Sequence, residues 1–373
     1  MNIKKLATYI LPATMLMSCN NQPKDEGFLI IGSYASAEEE GIKVYRFDQE
    51  NAEMSYVGGL SGISNPSFVY PSKDGQFIYA VGEDVAPDTP TANALRFDKA
   101  TGALEIINTQ PNPGDAPCNI IVSPDGQWVY TSNYFGGNID EYHIEADGSL
   151  GVARSIEFQG KSKDPERQTH PYLHAVNFSP DGKFLLADDL GTDRIHVFPA
   201  EGPIDTELMA DLFTVPGLGP RHLCFSPNGK YAYLLGELSG EIVSINYADD
   251  SPLVMKFLIT QVTKADTLDA GGSADIHVSP DGKFLYASHR LKGDGLSIFS
   301  IDQDNGKIER VGYQNTGIHP RNFMITPNGK YLLVACRDSN VIQIFKRNME
   351  TGLLKDTGKT IEMSNPVCLQ MIY

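Results

Sequence analysis

HAVNFSPDGKFLLADD, residues 174–189, reads as two short strands joined by a tight turn. HAVNF and KFLLADD are apolar-rich runs of strand length. The Ser-Pro-Asp-Gly between them is turn chemistry, with Gly182 supplying the positive φ that such a turn requires. The phrase returns as VSPDGQWVY (122–130), FSPNGKYAY (225–233), VSPDGKFLY (278–286) and ITPNGKYLL (325–333), and more loosely as YPSKDGQFIY (70–79). The turn glycines, Gly75, Gly126, Gly182, Gly229, Gly282 and Gly329, are spaced by 51, 56, 47, 53 and 47 residues. A period of roughly 50 residues built from short strands is the mark of a β-propeller.

Each repeat holds four strands. After HAVNF and KFLLADD come RIHVFPA (194–200) and a fourth strand in the DLFTV region (211–215). The N-terminus is out of phase: FLIIGSY (28–34), IKVYRFD (42–48) and EMSYVGG (53–59) match the second, third and fourth strands, with no first strand before them. NPVCLQMIY (365–373) matches a first strand and then the chain stops. Seven innermost strands are therefore expected, beginning at Pro66, Pro117, Leu173, Pro220, Ser273, Pro320 and Pro366. The predicted fold is all-β: a seven-bladed β-propeller with four antiparallel strands per blade, the last blade closed by both chain termini. Closure removes the sheet edges that an open array would expose.

Residues 1–19 stand apart from the repeats. A basic start, MNIKK, precedes a short apolar stretch and Leu16-Met17-Ser18-Cys19, which reads as a lipoprotein-type export signal with Cys19 as the lipidated residue. Residues 20–27 read as a flexible tether and 28–373 as the propeller. The expected location is the cell envelope, with membrane contact through the lipid on Cys19. The remaining cysteines, Cys118, Cys224, Cys336 and Cys368, fall on different blades and are expected as free thiols. No CxxC or Cys/His spacing suggests zinc, carboxylate clusters are thin, and no metal or other cofactor is expected. The formal charge of −17 disfavours a nucleic-acid partner.

The turn glycine serves as a ruler. Residues seven and eight positions before it begin the innermost strand, and those seven and eight after it end the second strand. Both sets sit at the end of the hairpin away from the turn, so they ring one mouth of the central channel. His174, Arg221, His222 and Arg321 come from the first set; Glu83, Asn133, Asp189, Glu237, His289 and Arg290 come from the second. His170 lies in the loop leading to His174. An acidic chain that gathers Arg and His at one place is set for an anionic or oxygen-rich small ligand. Glu237 or His174 could activate water, and Arg221 and Arg290 could stabilise charge on an attacked carbonyl oxygen. No Gly-x-Ser-x-Gly elbow is present, which disfavours an acyl-enzyme.

NPSF (65–68), FIYAVGE (77–83), SNYFGGNI (132–139), HPYLHAV (170–176), DDLGTDRI (188–195), GPRHLCFSPNGKYAY (219–233), SHR (288–290) and HPRNF (319–323) together resemble the 6-phosphogluconolactonase family of seven-bladed lactonase propellers. That family also holds the fungal carboxymuconate cyclases. The resemblance spans about residues 28–373. It implies hydrolysis of a sugar-acid lactone with His174, Arg221, Glu237 and Arg290 as catalytic residues. His170, His222, Asn133, Asp189, His289, Arg321 and Glu83 are then expected around the small-molecule lactone. Tyr172 stands where the family's motif has a first His, and His289 where it has Asn, so substrate contacts could differ. Export separates the chain from cytoplasmic phosphogluconolactone, so the lactone need not be phosphorylated. Two other readings stay open: a non-catalytic envelope propeller that binds a carboxylate or glycan, and a cyclase running the reverse chemistry.

Overall fold

The computed structural model describes residues 25–248 and 256–373. The signal at 1–19, with Cys19, lies outside the described residues. The strands form seven four-stranded antiparallel sheets, here blades one to seven, each with strands A to D from the centre outward. Blade one is built from both ends of the chain. Its A strand, Pro366–Ile372, pairs with its B strand, Glu26–Ser33, so that Phe28 faces Ile372 and Gly32 faces Cys368. The B strand starts two residues before position 28, with Glu26 opposite Asp48.

Six A strands begin where the repeat places them, at Pro117, Leu173, Pro220, Ser273, Pro320 and Pro366. Blade two is the exception: its A strand is only Val69–Pro71. Upstream of it Asn65 takes a positive φ of 45° and the Ser67 hydroxyl donates to Glu83, which holds Pro66 and Ser67 off the ladder.

The A–B turn is one hydrogen-bonded device used six times. In blade four the Gly182 N–H donates to the Ser179 carbonyl at 2.8 Å. Ser179 Oγ donates to Asp181 Oδ1 at 2.6 Å and accepts from the Phe184 N–H at 3.0 Å. The glycine φ falls between 67° and 73° in all six copies. The loose copy is the same turn with Lys73 in the proline position: Ser72 Oγ donates to Asp74 at 2.7 Å and accepts from the Phe77 N–H at 3.0 Å.

The apolar core lies between neighbouring blades. Leu186, Ile195 and Val197 of blade four pack on Leu223, Ala232 and Leu234 of blade five. Each such buried Leu, Ile or Val side chain contributes about 1.5–3 kcal/mol relative to exposure. Tyrosines tie blades across this layer: the hydroxyls of Tyr233 and Tyr286 donate to the carbonyls of Gly306 and Gly352 at 2.9 and 2.7 Å.

Two features of the blade tops position the site. First, six A strands carry a bulge against strand B at their first residues. Leu173 faces Asp189 and Ala175 faces Asp188, leaving His174 as the extra residue. Arg221 and Arg321 are the extra residues in blades five and seven, and Cys118 in blade three. A bulge leaves its extra residue unpaired and re-aims its side chain. Second, the residue eight positions after the turn glycine donates its N–H to the residue that precedes the A strand. Glu237 to Gly219 (2.7 Å), Tyr134 to Ala116 (2.8 Å) and Arg290 to Gly272 (3.1 Å) are three of five such bonds, and Tyr34 to Asn365 (3.1 Å) and Glu83 to Asn65 (3.0 Å) hold the equivalent residues of blades one and two. They fix the last residue of the B side over the top of the channel.

Candidate active site

Glu237 is the centre of the cluster. Its Oε2 accepts from Arg221 Nε at 2.9 Å and lies 3.3 Å from Arg290 Nη2. Its Oε1 accepts from Arg167 Nη2 at 2.7 Å. Burial alone would raise its pKa, but Arg290, Arg221 and Arg167 outweigh burial and hold the carboxyl at about 2. Glu237 is therefore ionised at any ordinary pH. Arg221, 1% exposed, also donates to the Ala274 carbonyl. Arg290 donates through Nε to the Gly272 carbonyl at 2.8 Å, and its Nη1 lies 3.3 Å from His319 Nε2. Burial and the neighbouring guanidinium depress both arginines below the ordinary value, yet a guanidinium this well supplied with acceptors keeps its proton.

His174 is buried, with Nε2 3.8 Å from Glu237 Oε2. Tyr134 and His222 meet its ring edge-on at 5.4 and 5.3 Å between centroids. Burial, then the charge of Arg221, pushes its pKa well below the imidazole range, so the ring is neutral. Cys118 Sγ lies 3.8 Å from its Nδ1, and burial pushes that thiol up to about 12, which leaves it un-ionised.

A second arm faces this one. Glu83 accepts from Tyr34 Oη at 2.9 and 3.0 Å and from Ser67 Oγ, and Arg321 Nη2 lies 3.9 Å away. The Arg321 guanidinium covers the Tyr34 ring at 5.4 Å. Burial raises the Glu83 pKa against the pull of Arg321. The two arms feel each other: Arg321 is among the charges that depress Arg221 and His174.

The other sequence candidates are placed as follows. His222 sits behind Arg221, at the junction with a central cavity of about 330 Å³ that it helps line. Its Nδ1 meets Asp275 Oδ1 at 2.7 Å and its Nε2 meets Arg221 Nη1 at 3.3 Å. Burial and Arg221 lower its pKa to about 4, so the neutral ring donates to Asp275 and accepts from Arg221. His170 stays on the outer loop, tilted against the Tyr172 ring at 4.0 Å between centroids, with Nε2 3.3 Å from the Phe135 carbonyl.

Asn133, Asp189 and His289 are not brought into the cluster. Each is at most 1% exposed and turned into its own blade. Asn133 donates to Asp140 at 2.8 Å; Asp189 accepts from the Tyr172 and Gly191 N–H groups at 2.9 Å; His289 lies 2.8 Å from both Ser273 Oγ and Ser297 Oγ. The reason is strand alternation. Positions seven and eight after the turn glycine point to opposite faces, and only position eight reaches the mouth.

Asp189 belongs instead to a buried ionic chain. His196 Nε2 lies 3.3 Å from Asp189 Oδ2 and its Nδ1 2.7 Å from Asp211 Oδ1. Burial opposes the imidazolium, but the two carboxylates win and raise the His196 pKa. A raised folded pKa contributes stability that is fully present below the unfolded value and is lost as pH rises through the folded one. Urea unfolding should therefore show a larger gap between the native protein and His196→Gln at about pH 6 than at about pH 9. An equal gap at both pH values would contradict the charged assignment.

Arg167 is the residue that sequence reasoning missed. It comes from residues 158–172, between the D strand of blade three and the A strand of blade four, and carries no repeat register. The signal that marks this connection is the 56-residue spacing between Gly126 and Gly182, the widest in the chain.

The profile described as "Lactonase, 7-bladed beta-propeller" matches residues 28–371. A 6-phosphogluconolactonase of Formosa agariphila is 34% identical over 351 residues, which cover 92% of this chain and 99% of that one. A crystal structure from Bacteroides fragilis is 45% identical with a TM-score of 0.88, covering 94% of this chain and all (100%) of that one. The periplasmic gluconolactonase of Pseudomonas aeruginosa is 30% identical with a TM-score of 0.84, covering 93% of this chain and 99% of that one. Seven blades closed by both termini, with a match that runs the length of the ring, leave one conclusion: the chain belongs to the family of seven-bladed β-propeller lactonases.

Proposed function

We propose that this protein hydrolyses the ring ester of a sugar-acid lactone at the mouth built around Glu237. The observation that carries the reading is a neutral, buried imidazole beside an ionised carboxylate that is itself tied to guanidinium groups. His174 is the base. Glu237 is the poorer one, because both of its oxygens are already engaged by guanidinium groups.

The lactone carbonyl oxygen points to Arg221 and Arg290. Water attacks the carbonyl carbon and gives its proton to His174, whose new positive charge is stabilised by Glu237. The negative charge that forms on the carbonyl oxygen is met by the largely buried guanidinium groups of Arg221 and Arg290. Collapse breaks the bond between the carbonyl carbon and the ring oxygen, and that oxygen takes the proton back from His174. The product is the open hydroxy acid. Microscopic acid–base exchange of this kind contributes typically 10²–10⁴-fold, enough for an ester that also opens unaided.

Export and attachment through Cys19 belong to the same proposal. They are supported by the basic start, the apolar stretch ending at Leu16-Met17-Ser18-Cys19, and similarity to a protein described as periplasmic. Among the described residues no helix is long and apolar enough to cross a membrane. Membrane fractionation of the full chain and of Cys19→Ala tests the anchor, which fails if both partition alike.

The enzymatic reading is tested by pH-stat assay of the purified protein on gluconolactone and 6-phosphogluconolactone, against the spontaneous rate. Acceleration on at least one is expected. Folded protein that accelerates no sugar lactone would overturn it.

A further inference from the structure

We propose that Arg167 selects the substrate: it is the surplus cation of the mouth, and it leaves Glu237 to pair with an acidic substituent, phosphate or carboxylate, on the lactone. The inference rests on the lactonase reading of the Glu237 mouth and adds to it the residue that decides which lactones are taken.

Charge balance is the first argument. Glu237 carries one negative charge and is met by three guanidinium groups, those of Arg167, Arg221 and Arg290. With Arg321 and Glu83 included, four guanidinium groups face two carboxylates. The excess sits in a chain whose formal charge is −17, so it does not follow from composition. Excess positive charge in a largely desolvated site is costly until an anion arrives to offset it.

Exposure decides which cation is free to move. The side chains of Arg221 and Arg290 are 1% and 6% exposed and are also bound to backbone carbonyls, whereas that of Arg167 is 42% exposed. Among the described residues the Arg167 guanidinium donates to Glu237 Oε1 and the hydroxyl of Tyr134, at 2.7 and 3.0 Å. When Arg167 turns away, Glu237 Oε2 keeps both buried partners, so the carboxylate stays compensated. The arginine planar fork suits either a phosphate or a carboxylate.

The backbone beneath Arg167 is built to present it. Asp164 Oδ1 accepts from the N–H groups of Glu166 and Arg167 at 2.9 Å. Gln168, 1% exposed, anchors the next position: its Oε1 accepts from the Asp164 N–H at 3.0 Å and its Nε2 donates to the Leu190 carbonyl at 2.8 Å. Ser162 Oγ ties the start of the segment to Asp193. A fixed backbone with a half-exposed guanidinium aimed at the mouth is the arrangement of a selecting residue rather than of a surface ion pair.

The experiment compares native protein, Arg167→Met and Arg167→Lys on glucono-δ-lactone, 6-phosphogluconolactone and a glucarolactone, which are neutral, phosphate-bearing and carboxylate-bearing. The native protein should prefer at least one acidic lactone. In Arg167→Met the ratio of kcat/KM for that lactone over the neutral one should fall roughly 30-fold, chiefly through KM, as expected for loss of a charge-assisted hydrogen-bonded pair. Arg167→Lys should recover part of the ratio. The acidic lactone whose advantage collapses identifies phosphate or carboxylate as the substituent. Calorimetry with 6-phosphogluconate and gluconate reads the same selectivity independently of turnover. A native enzyme without acidic preference, or an Arg167→Met variant that loses activity equally on neutral and acidic lactones, would overturn the proposal. If Glu237→Gln keeps full turnover on both, the mouth itself is misassigned. If Glu237→Gln is inactive while Arg167→Met keeps the native ratio, only the role of Arg167 falls.

Discussion

Glu237→Gln should lower turnover of a sugar lactone by roughly 100-fold or more and lower the free energy of unfolding by about 3 kcal/mol. The substitution keeps the shape of the side chain and removes its charge. Arg221 and Arg290, both buried, would then face each other and Arg167 without a counter-ion. Breaking a buried ionic group by removing one partner costs more than the group was worth, because the remaining charges stay desolvated. The imidazolium that forms on His174 would lose the carboxylate 3.8 Å from its Nε2, which raises the barrier to proton transfer. Denaturant unfolding and pH-stat kinetics on the same preparation read both effects. A variant as stable and as active as the native protein would remove Glu237 from the centre of the site.

Arg290→Met should act mainly on the chemical step. The expected loss in kcat is about 100-fold, the scale seen when one donor to a developing oxyanion is deleted, with a smaller change in KM. Stability should suffer less than in Glu237→Gln, since Glu237 keeps Arg221 and Arg167. The cost in stability comes from the Gly272 carbonyl, which loses the Nε donor at 2.8 Å, and from the contact with His319. A rise in KM with unchanged kcat would assign Arg290 to ground-state binding and would contradict its place at the attacked carbonyl.

Much of this molecule was legible from the chain. Short apolar runs around Ser-Pro-Asp-Gly identify hairpins because the turn chemistry is local: Ser179 Oγ, Asp181 and Gly182 satisfy one another within six residues of backbone, Ser179 to Phe184. The phase of FLIIGSY and NPVCLQMIY identified the shared blade, since a strand without its neighbour must find it elsewhere. The resemblance supplied the four central residues, and the geometry brings all four together.

The misplacements have one cause. The ruler gave the height of a residue along a strand but not the face to which it points. Asn133, Asp189 and His289 stand one position from Tyr134, Leu190 and Arg290, and that single step turns them into the blade, where Asp140, His196 and Ser297 receive them. On the A strands the bulge makes the same decision: in Arg221-His222 it lifts Arg221 onto Glu237 and leaves His222 behind it, on Asp275.

The sequence by itself determined the number of blades, their closure and the level at which chemistry gathers, because those follow from period, phase and turn residues that act over a few neighbours. Only the tertiary structure decided which side chains face the mouth and that Arg167 joins them. Bulges arise from pairing between strands, and the segment that carries Arg167 is positioned by Gln168 and Ser162 against blade four, contacts that no local pattern encodes.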